Sequence, residues 1–423
     1  MLCLLGVALA AFTGSCGNAS GDAAVQQSAV AEATAIRAAE SPPELTPEEK
    51  HFYRDMARAA WKYMEAEYEP STGFVNAVPS WHNTTLWDLG GQLLAFVAAK
   101  ELGLLSPAEF DRRTSKALST LEKVELFRDV AFNRMYSTKD GSLNTKEGPG
   151  YSATDLGRFF VALKVLAARE PRYAAQAERI VRRNDFAQLV KAGYLHGEGV
   201  DRNAKPITYQ EGRIGYEQYV ATGFSQWGAA VDSALSVRQN SEPVTVLGVE
   251  LLADKRSLDR LLSEPFILHG LEVGLTGDMK ALAANVLKAQ EARYKSTGQV
   301  TIVTEDAVAV APHHFYYYCV YCNRKPFVVG ISAPRETFDS PRWVSTKGAF
   351  GWHALFPSPY TKTATDHVAS AFDPARGWAT GVFEGTRKST KTFDVTTATT
   401  LMEIAFYQLR GRKPLIEAAS IAP

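Results

Sequence analysis

Apolar residues recur at spacings of three and four along most of the chain, the period of helices that bury one face. Leu89, Leu93, Leu94, Val97 and Leu102 form one such stripe and predict a helix from about residue 86. Leu156, Phe159, Phe160, Leu163 and Leu166 form a second, and Tyr216, Tyr219, Val220, Gly223, Phe224 and Trp227 a third. Thr46-Pro47-Glu48-Glu49 sets a cap, a first-turn proline and early acids at the head of a helix that runs through Trp61 to about Tyr68. The same reading predicts helices at 106–125, 172–192, 255–274, 278–297, 346–356, 361–372 and 396–410. Turn-rich or polar stretches at 70–83, 126–151 and 196–212 lie between them. Residues 300–332, rich in Val, Tyr and Phe, depart from the helical period and predict a short β-hairpin over one end. The expected class is all-α. More apolar helices alternate with more charged ones, the order that an inner and an outer ring of helices produces.

Composition narrows the partners. Hydrophobic residues make up 46% of 423 and charged ones 22%, enough for a sizeable core in one large domain or two average ones. Lys plus Arg equals Asp plus Glu, at 46 each, and no basic block interrupts the chain, so a nucleic-acid partner is not expected. Aromatic residues reach 11%, with 17 Tyr and 7 Trp, a surplus suited to stacking on sugar faces.

The N-terminus reads as an export signal. Leu2 to Phe12 is an apolar run too short to span a bilayer, and Thr13-Gly14-Ser15 leads into Cys16 as in a lipobox. No Lys or Arg precedes the run, and Thr13 stands where a lipobox has Leu. Two readings follow: a lipoprotein signal over 1–16 with acylation at Cys16, or an ordinary secretory signal. Residues 17–46, rich in Ala, Ser, Glu and Gln, read as a flexible tether, leaving one domain at 47–415. The expected location is the cell envelope, lipid-anchored on a periplasmic or outer-membrane face, or outside the cell, with the anchor as the sole membrane contact. Cys319 and Cys322 have C-x-x-C spacing in a strand-like run. Positions three apart on a strand point to opposite faces, so free thiols are expected rather than a zinc site or a disulfide.

Several helices open on polar, aromatic-flanked segments. These are NTTLWDLG at 83–90, GYSATDLGR at 150–158, GYEQY at 215–219 and STKGAFGWH at 345–353. Helix starts gathered at one end of a barrel make a concave mouth rich in donors. Together with SEPFILHGLE, TGQVTIVTEDAV and RGWATGVFEG, these segments resemble the bacterial family called domain of unknown function 3131, over about residues 50–415. The resemblance implies an (α/α)6 toroid similar to glycoside hydrolases of the glucoamylase and β-1,2-glucanase kind. It also implies a setting among exopolysaccharide and cyclic-glucan genes. The expected activity is therefore hydrolysis of a bacterial exopolysaccharide or glucan, with no cofactor. A non-catalytic glycan-binding envelope scaffold and a polysaccharide lyase are the alternatives.

Glycoside hydrolysis needs one protonated and one ionised carboxyl across the scissile bond. Asp88 and Asp155 each lie three residues after a capping hydroxyl, Thr85 and Ser152, so each either caps its helix or serves as base. Glu217, between Tyr216 and Tyr219, is the candidate acid, because a ring-lined setting raises a carboxyl pKa; Glu211 is its understudy. The resemblance adds that Tyr-Glu-x-Tyr looks like the glutamate-bearing segment of the related glucanases. Glu305 and Asp306 are candidates for base or substrate contact. Glu264, before Pro265, reads as structural, and Glu384 as either a cap or a substrate contact. Trp81, Trp87, Tyr151, Arg158, Tyr216, Trp352, His353 and Trp378 are candidate substrate contacts. His313 and His314 diverge on a strand and suggest solvent or core rather than a metal.

Overall fold

The computed structural model describes residues 44–143, 149–200, 205–331 and 336–417. The expected leader, Cys16 and nearly all of the tether lie outside the described residues. The chain divides into Met1–Thr46 and Pro47–Pro423, and the second unit carries the described helices and strands.

Its helices follow one another in pairs: α1 (Pro47–Ala66) and α2 (Leu86–Glu101), α3 (Pro107–Leu121) and α4 (Ala153–Arg169), α5 (Ala174–Arg182) and α6 (Tyr216–Gln226), α7 (Asp232–Leu235) and α8 (Glu264–Glu272), α9 (Gly277–Thr297) and α10 (Thr346–Leu355), α11 (Pro359–Val368) and α12 (Val395–Leu409). The even-numbered helices form the inner ring. Each packs on the next, from α2 through α4, α6, α8 and α10 to α12, which returns to α2. The odd-numbered helices lie outside, α1 against α12 and each of the others against the inner helix before it. Burial follows this order: every residue of α12 is buried, whereas α1 buries one stripe that includes Tyr53, Met56, Ala57, Ala60, Trp61 and Met64.

Local chemistry explains where the inner helices begin. Thr85 accepts from the Asp88 amide while Asp88 accepts from the Thr85 amide, a capping box at the head of α2. Ser152, Ser345 and Asp394 cap α4, α10 and α12 through their side-chain oxygens. Between α4 and α6 the backbones nearly touch. A Cβ on Gly157 would lie 2.5 Å from both Val220 Cβ and Val220 O, so only glycine permits this approach.

The toroid is not all-α. The described residues also form eight small antiparallel sheets. The stretch read as a polar loop at 196–212 holds β1 (Tyr194–Val200) paired with β2 (Pro206–Gln210). The helix expected at 255–274 begins only at Glu264, and the hairpin of β3 (Ser241–Val246) and β4 (Val249–Asp254) precedes it. The helix expected at 172–192 stops at Arg182 and resumes for a single turn at Phe186–Leu189. The expected hairpin at 300–332 is part of a four-stranded sheet, β5 (Glu305–Val310), β6 (His313–Cys322), β7 (Lys325–Gly330) and β8 (Thr337–Phe338), paired in that order. A bridge between Leu261 and Tyr321 ties β6 to the segment that enters α8. Cys319 and Cys322 are buried free thiols. No described helix is long and apolar enough to cross a membrane.

Candidate functional site

The N-terminal ends of the inner helices converge on a cavity of about 630 Å³. Thr85, Trp87 and Asp88 reach it from α2, Asp155 from α4, Arg213 from just before α6, Glu264 from α8, Lys347 from α10, and Asp394 and Thr396 from the head of α12. The β5–β6 face adds Glu305, Ala307, His314, Phe315 and Tyr317. Trp81, on the loop after α1, completes one side and remains 41% exposed; Phe315 remains 43% exposed. Two open aromatic rings therefore stand beside an acid-lined hollow, the arrangement that offers stacking area together with polar grips.

At its floor, Lys347 is buried, with Nζ 2.5 Å from Glu264 and 3.5 Å from Asp306. Trp87 Nε1 donates to the other Glu264 oxygen at 3.3 Å. Glu305 is buried beside this group, and its Oε2 has no hydrogen-bond partner among the described residues. The Arg213 guanidinium stands 4.0 Å away. Burial, reinforced by neighbouring Glu264 and opposed by Arg213 and Lys347, pushes the Glu305 pKa up to about 8.

Asp155 keeps part of its surface open to the cavity. Burial raises its pKa to about 7 against the pull of Arg134 and Arg213. Asp88 is pinned by the Thr85 amide at 3.2 Å, the Thr85 hydroxyl at 2.7 Å and the Thr396 hydroxyl at 3.2 Å. Burial raises its pKa as well. Asp394 takes the Thr397 amide at 2.8 Å and the Ala307 amide at 3.2 Å, so it joins the last inner helix to β5.

Of the residues named from sequence, Asp88, Asp155, Glu305, Trp81 and Trp87 meet in the cavity, as do Glu264, read as structural, and His314, read as solvent or core. The others lie elsewhere. Glu217 is fully buried against β1 and β2, where it accepts from the Leu195 amide and the Gln210 side chain and pairs with Arg256. Burial lifts its pKa to about 7, but its carboxyl does not line the cavity. Glu211 accepts from the Thr154 hydroxyl at 3.1 Å. Asp306 sits beneath the floor, bonded to Trp343 Nε1 at 2.7 Å and to Thr304. Tyr216 is buried under the Arg213 guanidinium, with 4.0 Å from ring centroid to cation. Tyr151 is buried near Glu198, Trp352 is buried beside Phe356, and Trp378 packs on Phe350 and Phe372. His353 bonds Thr361, and Arg158 is enclosed in the core. Glu384 is held by both Arg293 nitrogens at 2.9 Å and by Tyr318, which makes it a strut.

Sequence reasoning missed Glu264, Arg213, Lys347, Asp394, Phe315 and Tyr317 as wall residues. A signal existed for Glu264, since Ser263-Glu264-Pro265 sets an acid and a proline in the first turn of a helix, although Ser263 makes no side-chain cap. Asp394 likewise precedes an apolar helix in Phe393-Asp394-Val395-Thr396. Among the described residues, no group of three or more His, Cys, Asp or Glu side chains is arranged to hold a metal ion.

The family described as a protein of unknown function (DUF3131) matches residues 55–411. The chain belongs to it. A comparison of this DUF3131 chain with curated proteins finds no match. Solved structures share its fold at low identity. A putative glucoamylase from Bacteroides caccae is 14% identical with a TM-score of 0.66, over 87% of this chain and 94% of that one. The endo-β-1,2-glucanase from Chitinophaga pinensis, solved with sophorotriose and glucose, is 12% identical with a TM-score of 0.66, over 88% and 94%. The endo-β-1,2-glucanase from Talaromyces funiculosus, solved with sophorose, is 12% identical with a TM-score of 0.57, over 85% and 86%.

Proposed function

We propose that this DUF3131 protein is a glycoside hydrolase of the cell envelope that cleaves a bacterial exopolysaccharide or glucan in the cavity at the inner helix ends. The observation that carries the reading is Glu305: a buried carboxyl on the cavity wall, beside Glu264 and 4.0 Å from Arg213, with its pKa pushed up to about 8. Such a group can donate to a departing glycosidic oxygen. Asp155, more open and with the lower pKa, is placed to take a proton from water. Glu217 is replaced as the acid in this reading, because its carboxyl is committed to Arg256 and the β1–β2 hairpin. Trp81 and Phe315 offer their open faces to sugar rings. The shared fold with glucanases solved with β-1,2-linked sugars supports a glycan as the substrate.

The test is release of reducing ends from a panel of bacterial glycans, β-1,2-glucan among them. New ends that disappear with Glu305→Gln support hydrolysis. New ends that absorb in the ultraviolet mark a lyase, and binding without release marks a scaffold; either overturns the proposal. Export rests on the Cys16 segment. Labelled fatty acid is expected to enter the full-length protein in a bacterial host and to be lost in Cys16→Ser; unlabelled wild-type protein would reduce that segment to an ordinary signal or none.

A further inference from the structure

Arg158, a candidate substrate contact by sequence, has no exposed surface. Its Nε lies 3.4 Å from Glu272 and its Nη2 3.1 Å from Glu403, both also fully enclosed. The Tyr219 hydroxyl donates to Glu272. Burial, together with the adjacent Glu272 charge, raises the Glu403 pKa well above its ordinary value, and burial raises that of Glu272 as well. Arg158, Tyr219, Glu272 and Glu403 come from α4, α6, α8 and α12. The group therefore sits where these inner helices meet.

A buried ion pair of this kind seldom adds stability over an apolar packing of the same volume, so its presence calls for another reason. The ring above it supplies one. The guanidinium lies 4.8 Å from the Trp87 ring centroid, Tyr219 meets that ring edge-on at 6.1 Å, and the indole N–H is the group that bonds Glu264. Gly91 makes the space: a Cβ there would come within 3.1 Å of Arg158 Nη2 and 2.6 Å of Thr399 Oγ1. The guanidinium is flat and can stack on an indole, whereas an ammonium is a point charge.

We propose that Arg158 is a positioning residue, locked between Glu272 and Glu403, that fixes the Trp87 ring and through it the orientation of Glu264 on the cavity floor. Its effect on turnover rests on the hydrolase reading; its effect on Trp87 does not. The chain has 7 tryptophans, so the Trp87 indole resonance is assignable by its loss in Trp87→Phe. In Arg158→Lys that resonance is expected to move or broaden and to stop responding to Glu264→Gln. On a glycan that the wild type cleaves, kcat is expected to fall on the order of a hundredfold with KM nearly unchanged, because a displaced Glu264 no longer stands beside Glu305 to help hold its proton. A folded Arg158→Lys protein with a wild-type Trp87 resonance overturns the proposal. Where that variant does not fold, hydrogen exchange in the wild type decides. A held Trp87 exchanges its indole proton far more slowly than exposed Trp81, and equal rates overturn the proposal. Should Trp87 respond as expected in a protein that cleaves no glycan, the positioning stands and the hydrolase reading falls.

Discussion

Arg256 Nη2 stands 2.6 Å from Glu217 and 2.5 Å from Asp254, so one guanidinium joins the first turn of α6 to the end of β4. Glu217 also holds the Leu195 amide and the Gln210 side chain of the neighbouring hairpin. A carboxyl with this many fixed partners serves as a clasp.

Glu217→Gln keeps the shape of the clasp and leaves Arg256 its bond to Asp254. The expected result is a loss of about 1–3 kcal/mol in denaturant unfolding, with turnover on an established glycan unchanged. Loss of turnover in a protein of wild-type stability would return Glu217 to the reaction.

Glu305→Gln and Asp155→Asn are expected to lower kcat/KM by about a hundredfold or more while leaving the fold intact. The pH profile follows from the same two groups. Asp155 loses its proton above about 7 and Glu305 keeps its own up to about 8, so activity should rise through the first value and fall through the second. In Glu305→Gln the alkaline limb should vanish from whatever activity remains.

Stability should fall as pH rises from 6.5 to 8. Asp155, Glu217 and Glu305 all have folded-state pKa values above their ordinary ones, so across this range the folded protein holds protons that the unfolded chain has lost. Buried His269, whose pKa burial lowers to about 4, is neutral in the folded protein throughout and opposes the trend only near pH 6.5, where the unfolded imidazole is still about half protonated. Thermal melts across the window check the sign, and a Tm that climbs with pH contradicts it.

Gly157→Ala should cost about 1–3 kcal/mol, because the new methyl meets the α6 backbone and the Val220 side chain. Urea unfolding measures this. A variant as stable as the wild type would mean that α4 and α6 can separate freely.

Much of the inner ring was legible in the sequence because its cues are local. Thr85 and Asp88 stand three apart and form the capping box that the spacing predicts, and the stripe after Leu86 becomes α2 nearly to the residue. The same logic led to Glu217 and lost its direction there. Asp88 and Asp155 occupy the third position of their helices, whereas Glu217 occupies the second of its own, rotated about 100° away. The floor was not legible. Glu264 and Glu305 are far apart in sequence, and what brings them to one wall is the attachment of β6 to the approach of α8 through Leu261 and Tyr321. Strand content was undercounted for a related reason: segments such as 206–210 are short and largely exposed, and the brief alternation of Ile207 and Tyr209 with Thr208 and Gln210 is lost in a polar stretch.

The return of α12 to α1 and α2 has a consequence for how the molecule is made. Asp88 is bonded to Thr396, 308 positions later, and the wall is finished by residues at the head of the final helix. A growing chain can pair its early helices as they emerge, yet the hollow has no closed rim until α12 has been synthesised. Folding must then bring α12 back to α1 and α2 across about 300 residues, a slow step set by distant contacts. The acids are withdrawn from bulk water at that last joining.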